Sequence, residues 1–255
     1  MKKYELTAEF IEKWGKKLFR IKALIGFGSV EAGELGGYVE KEDNLAQNGN
    51  AWVFDDAEVY GNARVCGNAE VYGNARVCGN AEVYDDARVY GNAWVFDDAE
   101  VYGNARVYGN AEVYGNARVC GNAEVYGNAR VYGNAWVFDD ARVYGNAEVY
   151  GNARVCGNAE VYGNARVYDD ADYLLIGRIG SRFSFTTFFK NKDKGITVSC
   201  GCFLGTIAEF RAKVTDTHGN NKHAKMYNLA ADMAELQILG EEHFDKLNTN
   251  KSELF

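Results

Sequence analysis

The chain contains no proline, three histidines and six cysteines in 255 residues. So few cysteines do not form the disulfide framework of a small secreted domain. No segment approaches the roughly 20 apolar residues of a membrane-spanning helix. Residues 1–5 lead into charged sequence and not into the apolar run of a signal peptide. We therefore expect a cytoplasmic protein without a membrane partner.

Two further shortages exclude whole classes of function. Threonine is absent between Ala8 and Phe185, so an ice-binding face made of outward threonine rows is excluded. Residues 51–171 carry nine arginines against eighteen acidic residues, and nothing else in the chain is basic enough for a nucleic-acid partner. Five Asp-Asp pairs supply the acidic surplus, but they fall on different edges of the repeat and do not imitate a phosphate stripe.

What the chain does contain is a repeat of six residues. Alanine stands at every sixth position between Ala51 and Ala171, and valine follows two positions later in every unit except the last, where Tyr173 stands. Residues two apart point to the same side of a strand, and the Gly-Asn or Asp-Asp pair before each alanine suits a corner. A short fixed period of this kind predicts a solenoid over residues 51–171.

The charges on the outward positions predict the size of one coil. The residue between alanine and valine alternates between glutamate and arginine, and ten pairs of residues eighteen apart combine opposite charges while two combine like charges. Opposite charges that face each other favour a sheet by roughly 0.2–1 kcal/mol. The pattern therefore predicts triangular coils of 18 residues, in which Glu112, Arg130 and Glu148 form one column.

The position after valine is mostly aromatic, and residues eighteen apart form ladders there. The sequence also has a longer period: Trp-Val-Phe-Asp-Asp recurs at residues 52, 94 and 136, forty-two residues apart. Such near-identical blocks indicate tandem duplication. The most complete aromatic ladder comprises Phe54, Tyr72, Tyr90, Tyr108, Tyr126, Tyr144 and Tyr162.

The ends of the chain depart from the repeat. Residues 1–50 are predicted to be a cap, with a strand at 17–24 and an irregular first coil at 30–39, because a solenoid needs atypical ends. Residues 172–255 are predicted to be a small α+β domain. Its predicted elements are strands at 173–176, 183–189 and 196–203 and helices at 207–218 and 222–239.

Several segments carry a resemblance to a known family: Leu35-Gly36-Gly37-Tyr38-Val39-Glu40, Asn44-Leu45, the Tyr-Gly-Asn-Ala units, and the tail segments 179–182 and 200–203. With them the chain resembles the hexapeptide-repeat proteins common in phage and prophage genomes. The resemblance implies a mainly β fold, a left-handed parallel β-helix with triangular coils, and a homo-oligomer, with a trimer favoured. It carries no established activity. The hexapeptide acyltransferases and γ-carbonic anhydrases share the coil motif, but they need histidine on the coils, and residues 51–171 contain none. We therefore expect no catalytic residue, no cofactor and no enzyme activity.

One constellation has the composition of a metal site. Cys200 and Cys202 precede His218 and His223, and the histidine spacing suits zinc. The cysteine spacing is one residue shorter than that of a zinc knuckle. Alternatively, the thiols are core residues on one face of a strand, and we predict no metal.

The best candidate for a ligand site lies in the glycine-rich segment 177–182 and the residues that follow it. Two arginines offer forked donors for a phosphate or carboxylate, and the N-terminus of the first helix adds a positive dipole end. The alternative interpretation is a linker with solvated arginines. The candidate ligand-binding residues are Arg178, Ser181, Arg182, Thr186, Thr187, Gly205 and Thr206.

These observations favour a non-catalytic binding protein of phage or mobile-element origin, in which the β-helix is a rigid scaffold and the C-terminal domain binds the partner. The partner would be a host protein or a small anionic ligand, and a counter-defence role against a host immune protein or nucleotide signal is one version. The protein would then act in the host cytoplasm. The alternatives are an acyltransferase-like enzyme and a structural component of an assembly. The phenylalanine-rich strand at 183–189 is the predicted association surface.

Overall fold

The computed structural model describes residues 2–242 and 244–245. Met1, His243 and residues 246–255, the end of the predicted domain 172–255, lie outside the described residues. The described chain forms an N-terminal cap, a β-solenoid of about seven turns and a small C-terminal domain with two helices and an antiparallel sheet.

The strands of the cap are β1 (Tyr4–Lys13), β2 (Lys16–Ala23) and β3 (Leu35–Val39). The solenoid strands are β4 (Trp52–Val53), β5 (Glu58–Val59), β6 (Arg64–Val65), β7 (Glu70–Val71), β8 (Arg76–Val77), β9 (Glu82–Val83), β10 (Arg88–Val89), β11 (Trp94–Val95), β12 (Glu100–Val101), β13 (Arg106–Val107), β14 (Glu112–Val113), β15 (Arg118–Val119), β16 (Glu124–Val125), β17 (Arg130–Val131), β18 (Trp136–Val137), β19 (Arg142–Val143), β20 (Glu148–Val149), β21 (Arg154–Val155), β22 (Glu160–Val161) and β23 (Arg166–Val167). The C-terminal elements are β24 (Tyr173–Ile179), β25 (Ser184–Lys190), β26 (Ile196–Cys200), β27 (Phe203–Thr206), α1 (Ile207–His218) and α2 (Lys222–Leu239).

The cap closes the first coil with a sheet that continues one solenoid face. β1 and β2 form a hairpin, β2 pairs antiparallel with β3, and β3 pairs parallel with β5. Beneath the cap, Trp52 is completely buried, with its ring 5.9 Å from that of Tyr4 and 5.4 Å from that of Phe27. The predicted strand at 17–24 is β2.

The solenoid has three faces, and each is a parallel sheet in which residues eighteen apart are partners. Arg130 pairs with Glu112 on one side and with Glu148 on the other. The predicted triangular coil of 18 residues is therefore confirmed. Its left-handed sense stays a prediction.

The interior of the solenoid is a column of small and β-branched side chains. The alanines and valines of the coils are completely buried, apart from Ala165 at 1% exposure and Ala171. Glycine occupies the corners because the backbone there has positive φ, as at Gly109 with φ 73°. In four of the Asp-Asp pairs, the first aspartate takes the same corner conformation: Asp55, Asp85, Asp97 and Asp139.

The predicted aromatic ladder forms along one edge of the coils. Successive rings between Tyr72 and Tyr162 stack almost parallel, with centroids 4.6–4.8 Å apart. On the flat faces, seven of the ten predicted opposite-charge stacks bring nitrogen and oxygen within 4.0 Å. These arginines are about half exposed, so each pair contributes only about 0–1 kcal/mol.

The solenoid ends one unit earlier than the alanine period does. Ala171 keeps the sixth-residue spacing but is exposed in the 3-10 helix Asp170–Asp172, while Asp172 is buried. The Asp172 carboxylate accepts hydrogen bonds from the backbone N–H groups of Tyr168 and Asp169 and from Lys190 Nζ. These contacts replace the ladder bonds that another coil would supply.

The C-terminal domain has its own core and shares one strand with the solenoid. β24, β25, β26 and β27 form an antiparallel sheet in chain order, and both helices pack against it. On β25, Phe188 faces the core of this domain, with its ring 5.8 Å from that of Phe210. Phe189 points the opposite way into the solenoid core, 6.0 Å from Tyr162. Two of the phenylalanines predicted to mediate association are therefore internal, because β25 joins two cores.

The two helices begin and end where they are predicted, but the last predicted strand, at 196–203, is divided in two. Residues 196–203 split into β26 and β27, because Gly201, with φ 60°, and Cys202 make a tight turn between them. The placement of Cys200 and Cys202 on one strand face is therefore wrong. Cys202 lies exposed in the turn, and Cys200 is half-buried.

Candidate functional site

A groove in the C-terminal domain brings together part of the predicted ligand site. The groove has a volume of about 190 Å³ and lies between the β24–β25 turn, the β26–β27 turn and α1. We call it the basic groove, because Arg182, Lys213 and His218 line it beside aromatic rings. Its other lining residues are Ser181, Ser184, Cys200, Gly201, Cys202, Phe203, Phe210, Val214, Thr217 and Tyr227.

The floor of the basic groove is made of packed aromatic rings. Tyr227 on α2 is buried and stacks on His218, with centroids 5.7 Å apart and ring planes at 28°. The ring of Phe210 meets Tyr227 edge-on at 5.7 Å and lies 5.6 Å from Phe203. A Cβ at Gly180 would overlap the Tyr227 hydroxyl, so the β24–β25 turn approaches this ring closely only because residue 180 is glycine.

The hydroxyl of Tyr227 stays protonated in this setting. Burial, followed by the neighbouring Cys200 thiol, raises the pKa of Tyr227 to about 12, while the positive charge of Arg182 acts in the opposite direction. At neutral pH the hydroxyl is therefore a neutral hydrogen-bonding group and not a phenolate.

The cations of the basic groove differ in how far they are neutralised. Lys213 forms an ion pair with Asp216 at 3.2 Å on the surface of α1. Arg182 is exposed, and no carboxylate of the described residues lies within ion-pair distance of its guanidinium. Its Nη1 reaches over the Gly201 turn, 3.8 Å from where a Cβ would stand. Arg182 is thus the donor best placed to meet an anion.

The other predicted ligand residues are not part of the basic groove. Arg178 is exposed on an irregularity of β24, where its φ is 49° and the register with β25 shifts. Thr186 is buried and donates to Cys200 Sγ at 3.2 Å, and the Thr187 hydroxyl accepts from the backbone N–H of Glu160 at 3.3 Å. Both hydroxyls therefore have structural roles.

The N-terminus of α1 already holds a carboxylate. Thr206 donates from its backbone N–H and its hydroxyl to Glu209 Oε2, at 2.8 and 2.9 Å. These two hydrogen bonds, with the backbone bond the larger cause, lower the pKa of Glu209. Gly205 lies beside the same carboxylate, because a Cβ there would approach Oε2 to 2.8 Å. An anion expected at Gly205 and Thr206 would have to displace Glu209.

The candidate metal residues do not converge. His218 and His223 have ring centroids 5.8 Å apart, but His223 does not line the basic groove and Cys202 is exposed in its turn. Among the described residues, no three histidine, cysteine, aspartate or glutamate side chains form a group that could hold a metal ion. Nothing in the donor set of this region fits a metal centre.

A second, larger cleft of about 440 Å³ lies where the last coils meet β25 and β26. Thr187 and Ser184 line it together with Arg142 and Glu160, which form an ion pair at 3.5 Å. Because those charges already satisfy each other, this cleft offers a ligand less than the basic groove does.

Sequence reasoning missed the helical wall of the basic groove. Phe210, Val214 and His218 recur at four-residue intervals on α1 and so share one face. That spacing, together with the glycine-rich turn, is the signal in the sequence that points to this wall.

Comparison with known protein families gives a match within the solenoid. Residues 81–97, 99–115, 123–139 and 141–157 match a family model described as the YdcK beta solenoid repeat. Each matched segment has 17 residues, close to one 18-residue coil, and together they cover about a quarter of the chain. No curated protein matches the chain. In the part of the chain that the structure describes, no helix has both the length and the apolar composition needed to cross a membrane.

Proposed function

We propose that this protein acts by binding and not by catalysis, with the β-solenoid as a rigid scaffold and the C-terminal domain as the recognition module. The observation that carries the proposal is the basic groove, where the Arg182 guanidinium, free of ion pairs within the described residues, lies beside the aromatic floor made by Tyr227 and Phe210. An arginine beside aromatic rings suits an anionic group attached to an apolar body.

The volume of the basic groove limits the size of the group that it can bind. Its volume of about 190 Å³ is below the 300–1,000 Å³ or so of pockets that enclose a whole drug-sized molecule. It accommodates one ring-sized group with a carboxylate or phosphate, which is the size of an acidic or phosphorylated side chain. The partner is therefore a protein that inserts such a side chain, and a nucleotide is the weaker candidate.

The resemblance to phage and prophage repeat proteins supports a mobile-element origin. A host protein is then the natural partner, and blocking a host defence protein is the specific role we propose. The solenoid contributes length and rigidity, because its coils repeat nearly the same surface and contain no pocket-forming insertion between residues 51 and 167.

The test uses phenyl phosphate as a probe with a ring and an anion, and benzyl alcohol as the uncharged comparison. We expect the full-length protein to bind phenyl phosphate more tightly than benzyl alcohol. Arg182→Ala should weaken phenyl phosphate binding roughly 10- to 100-fold, because a charge-assisted hydrogen bond contributes roughly 1.5–3 kcal/mol. Calorimetric titration measures both affinities.

Arg178→Ala is the matched control, because Arg178 is an exposed arginine of the same segment outside the basic groove. It should bind phenyl phosphate as the unaltered chain does. Equal loss in both variants, or no preference for the anion, would contradict the assignment. Capture of host proteins with the unaltered chain and with Arg182→Ala as baits then identifies partners that depend on this groove.

A further inference from the structure

Helix α2 is apolar on two opposite faces, and the fold covers only one of them. Ala224, Tyr227, Ala231, Ala234 and Ile238 face the sheet and α1 and are buried. A second stripe, displaced by two residues along the helix, faces outward. A helix with apolar residues on both sides needs a partner on each. The outward stripe consists of Met226, Leu229, Met233 and Leu236, which are 39%, 63%, 57% and 45% exposed.

We propose that this outward stripe is the contact through which two copies of the chain associate, with their α2 helices antiparallel. The stripe residues are separated by three, four and three positions, which is the spacing of a coiled-coil seam. A two-fold axis near residue 231 places Met226 opposite the second copy's Leu236 and Leu229 opposite its Met233. Each layer then combines one methionine with one leucine.

The charges at the ends of α2 select the antiparallel arrangement. Lys222 and Lys225 are exposed in its first turn, and Glu241 and Glu242 are exposed just beyond its last turn. Both pairs have the unfavourable sign for the dipole of an isolated helix, where anions belong at the N-terminus and cations at the C-terminus. An antiparallel second copy brings each lysine pair to the other chain's glutamates and corrects both ends at once.

The acidic residues in the middle of α2 do not disturb this pattern. Arg211 on α1 donates to Asp232 at 2.8 Å and to Glu235 at 2.7 Å, so both carboxylates already have a cationic partner within one chain. The flank of the seam is therefore positive at one end and negative at the other. A parallel pair would instead place lysine beside lysine and glutamate beside glutamate.

The exposed area of the stripe determines how tightly two copies are expected to associate. Its four side chains expose roughly 400 Å² of apolar surface, the size at which exposed patches mark association. Two copies would bury roughly 800 Å² from these side chains alone, and the charged ends extend the contact toward the ~1,200 Å² of the smallest specific interfaces. We expect a reversible dimer with a dissociation constant in the micromolar range.

Sedimentation equilibrium of the full-length chain tests the contact. Leu229→Lys with Met233→Lys should raise the dimer dissociation constant more than 100-fold and leave the helical circular dichroism unchanged, since both side chains are exposed. Leu24→Lys, which alters an exposed leucine of the cap (41%), should not change the dissociation constant. A chain that stays monomeric, forms a trimer, or dimerises equally well with both stripe substitutions would overturn the proposal.

A charge exchange tests the orientation. Lys222→Glu and Glu241→Lys should each weaken the dimer several-fold, and the two changes combined in one chain should restore it. Lys222→Glu places an anion at the N-terminus of α2 and so favours the helix itself. A weaker dimer in that variant therefore reports the contact and not damage to the helix. Failure of the combined variant to recover would overturn the antiparallel arrangement.

Discussion

At the scale of single residues, the cysteines of the repeat have a packing role. The indole N–H of Trp94 donates to Cys78 Sγ at 3.2 Å, and that of Trp136 donates to Cys120 Sγ at 3.1 Å. Each tryptophan follows its cysteine by sixteen residues. Where a glutamate stands sixteen residues later, a tyrosine in this position donates to it instead, as Tyr132 does to Glu148. The small thiol thus makes room for the indole, so these two cysteines have a packing role in the coil.

Cys78→Tyr should therefore destabilise the chain by about 1–3 kcal/mol, because the larger ring competes with Trp94 for the same space. Cys66→Tyr is the matched control. Sixteen residues after Cys66 stands Glu82, so the new ring gains a carboxylate partner and stability should be unchanged or higher. Denaturant unfolding of the two variants measures the difference.

The same packing argument predicts that a second substitution restores the stability lost in Cys78→Tyr. Cys78→Tyr combined with Trp94→Glu recreates the tyrosine–glutamate pair found elsewhere in the solenoid and should recover most of the lost stability. Equal destabilisation by Cys78→Tyr and Cys66→Tyr would show that the tryptophan does not occupy the space left by the thiol.

At the scale of elements, the tyrosine ladders make the solenoid sensitive to alkali. Burial, then the Glu148 carboxylate and the neighbouring rings, raise the pKa of Tyr132 to about 12 from an ordinary 10.0. The pKa values of Tyr84 and Tyr108 are raised as well, by burial first and then by Glu100 and Glu124. Each ring is therefore held in its neutral form by the fold.

A raised folded-state pKa contributes stability that is fully present below the unfolded pKa and is lost as pH rises through the folded value. We therefore expect the melting temperature to fall between pH 10 and about 12. Tyrosinate absorbance should increase only as the chain unfolds. Circular dichroism and ultraviolet absorbance along a pH series measure both. Tyrosines that ionise near pH 10 in the folded protein would contradict the expectation.

Lys3 changes the pH dependence of stability in the direction opposite to that of the tyrosines. Burial lowers its pKa from 10.5 to about 8, and its ammonium donates to the Ala51 carbonyl at 2.8 Å. Since the unfolded chain keeps this proton to higher pH than the folded chain does, Lys3 makes stability rise with pH between about 8 and 10.5. As pH increases, stability should therefore first rise because of Lys3 and then fall because of the tyrosine ladders. Lys3→Met should abolish only the rise.

Elements with a local signal were predictable, and those defined by distant contacts were not. Thr206 with Glu209 and the final Gly240 mark helix ends within a few residues of sequence, so α1 and α2 have the predicted bounds. The turn at Gly201 divides an apolar run that looks like one strand. Only pairing with β25 and α1 decides where that run bends.

At the scale of the whole molecule, the repeat predicted the architecture almost completely and the site only in part. The coil size follows from charges that recur every eighteen residues, because a solenoid repeats one local rule. The basic groove obeys no such rule. It combines Arg182 from a strand turn with Lys213 and His218 from α1, and the spacing of these residues along the chain does not indicate that they meet.

The forty-two-residue block relates the solenoid's length to the direction in which it holds the C-terminal domain. Forty-two residues are seven units of six, and three units make one coil. Removing one block therefore removes two and one third coils. Residues 94–135 form such a block, and their removal places Trp136 where Trp94 stood, again sixteen residues after Cys78. The alanine and valine period continues across the junction, but the following coils shift by one face.

Deletion of residues 94–135 should give a folded protein, because the buried alanine and valine column is unchanged. The rod should shorten by about 11 Å at ~4.8 Å per coil, and the C-terminal domain should turn by about 120° relative to the cap. Deletion of residues 94–129, two whole coils, is the control that shortens the rod by a similar length without turning it. Crystal structures of both variants, superposed on the cap, measure the angle.

The same two deletions show which surface holds a partner. A partner held only by the basic groove should bind both variants equally, whereas a partner that also contacts the solenoid or the cap should bind only the control. If the longer deletion leaves the orientation unchanged or unfolds the chain, the coil-by-coil description of this molecule is wrong.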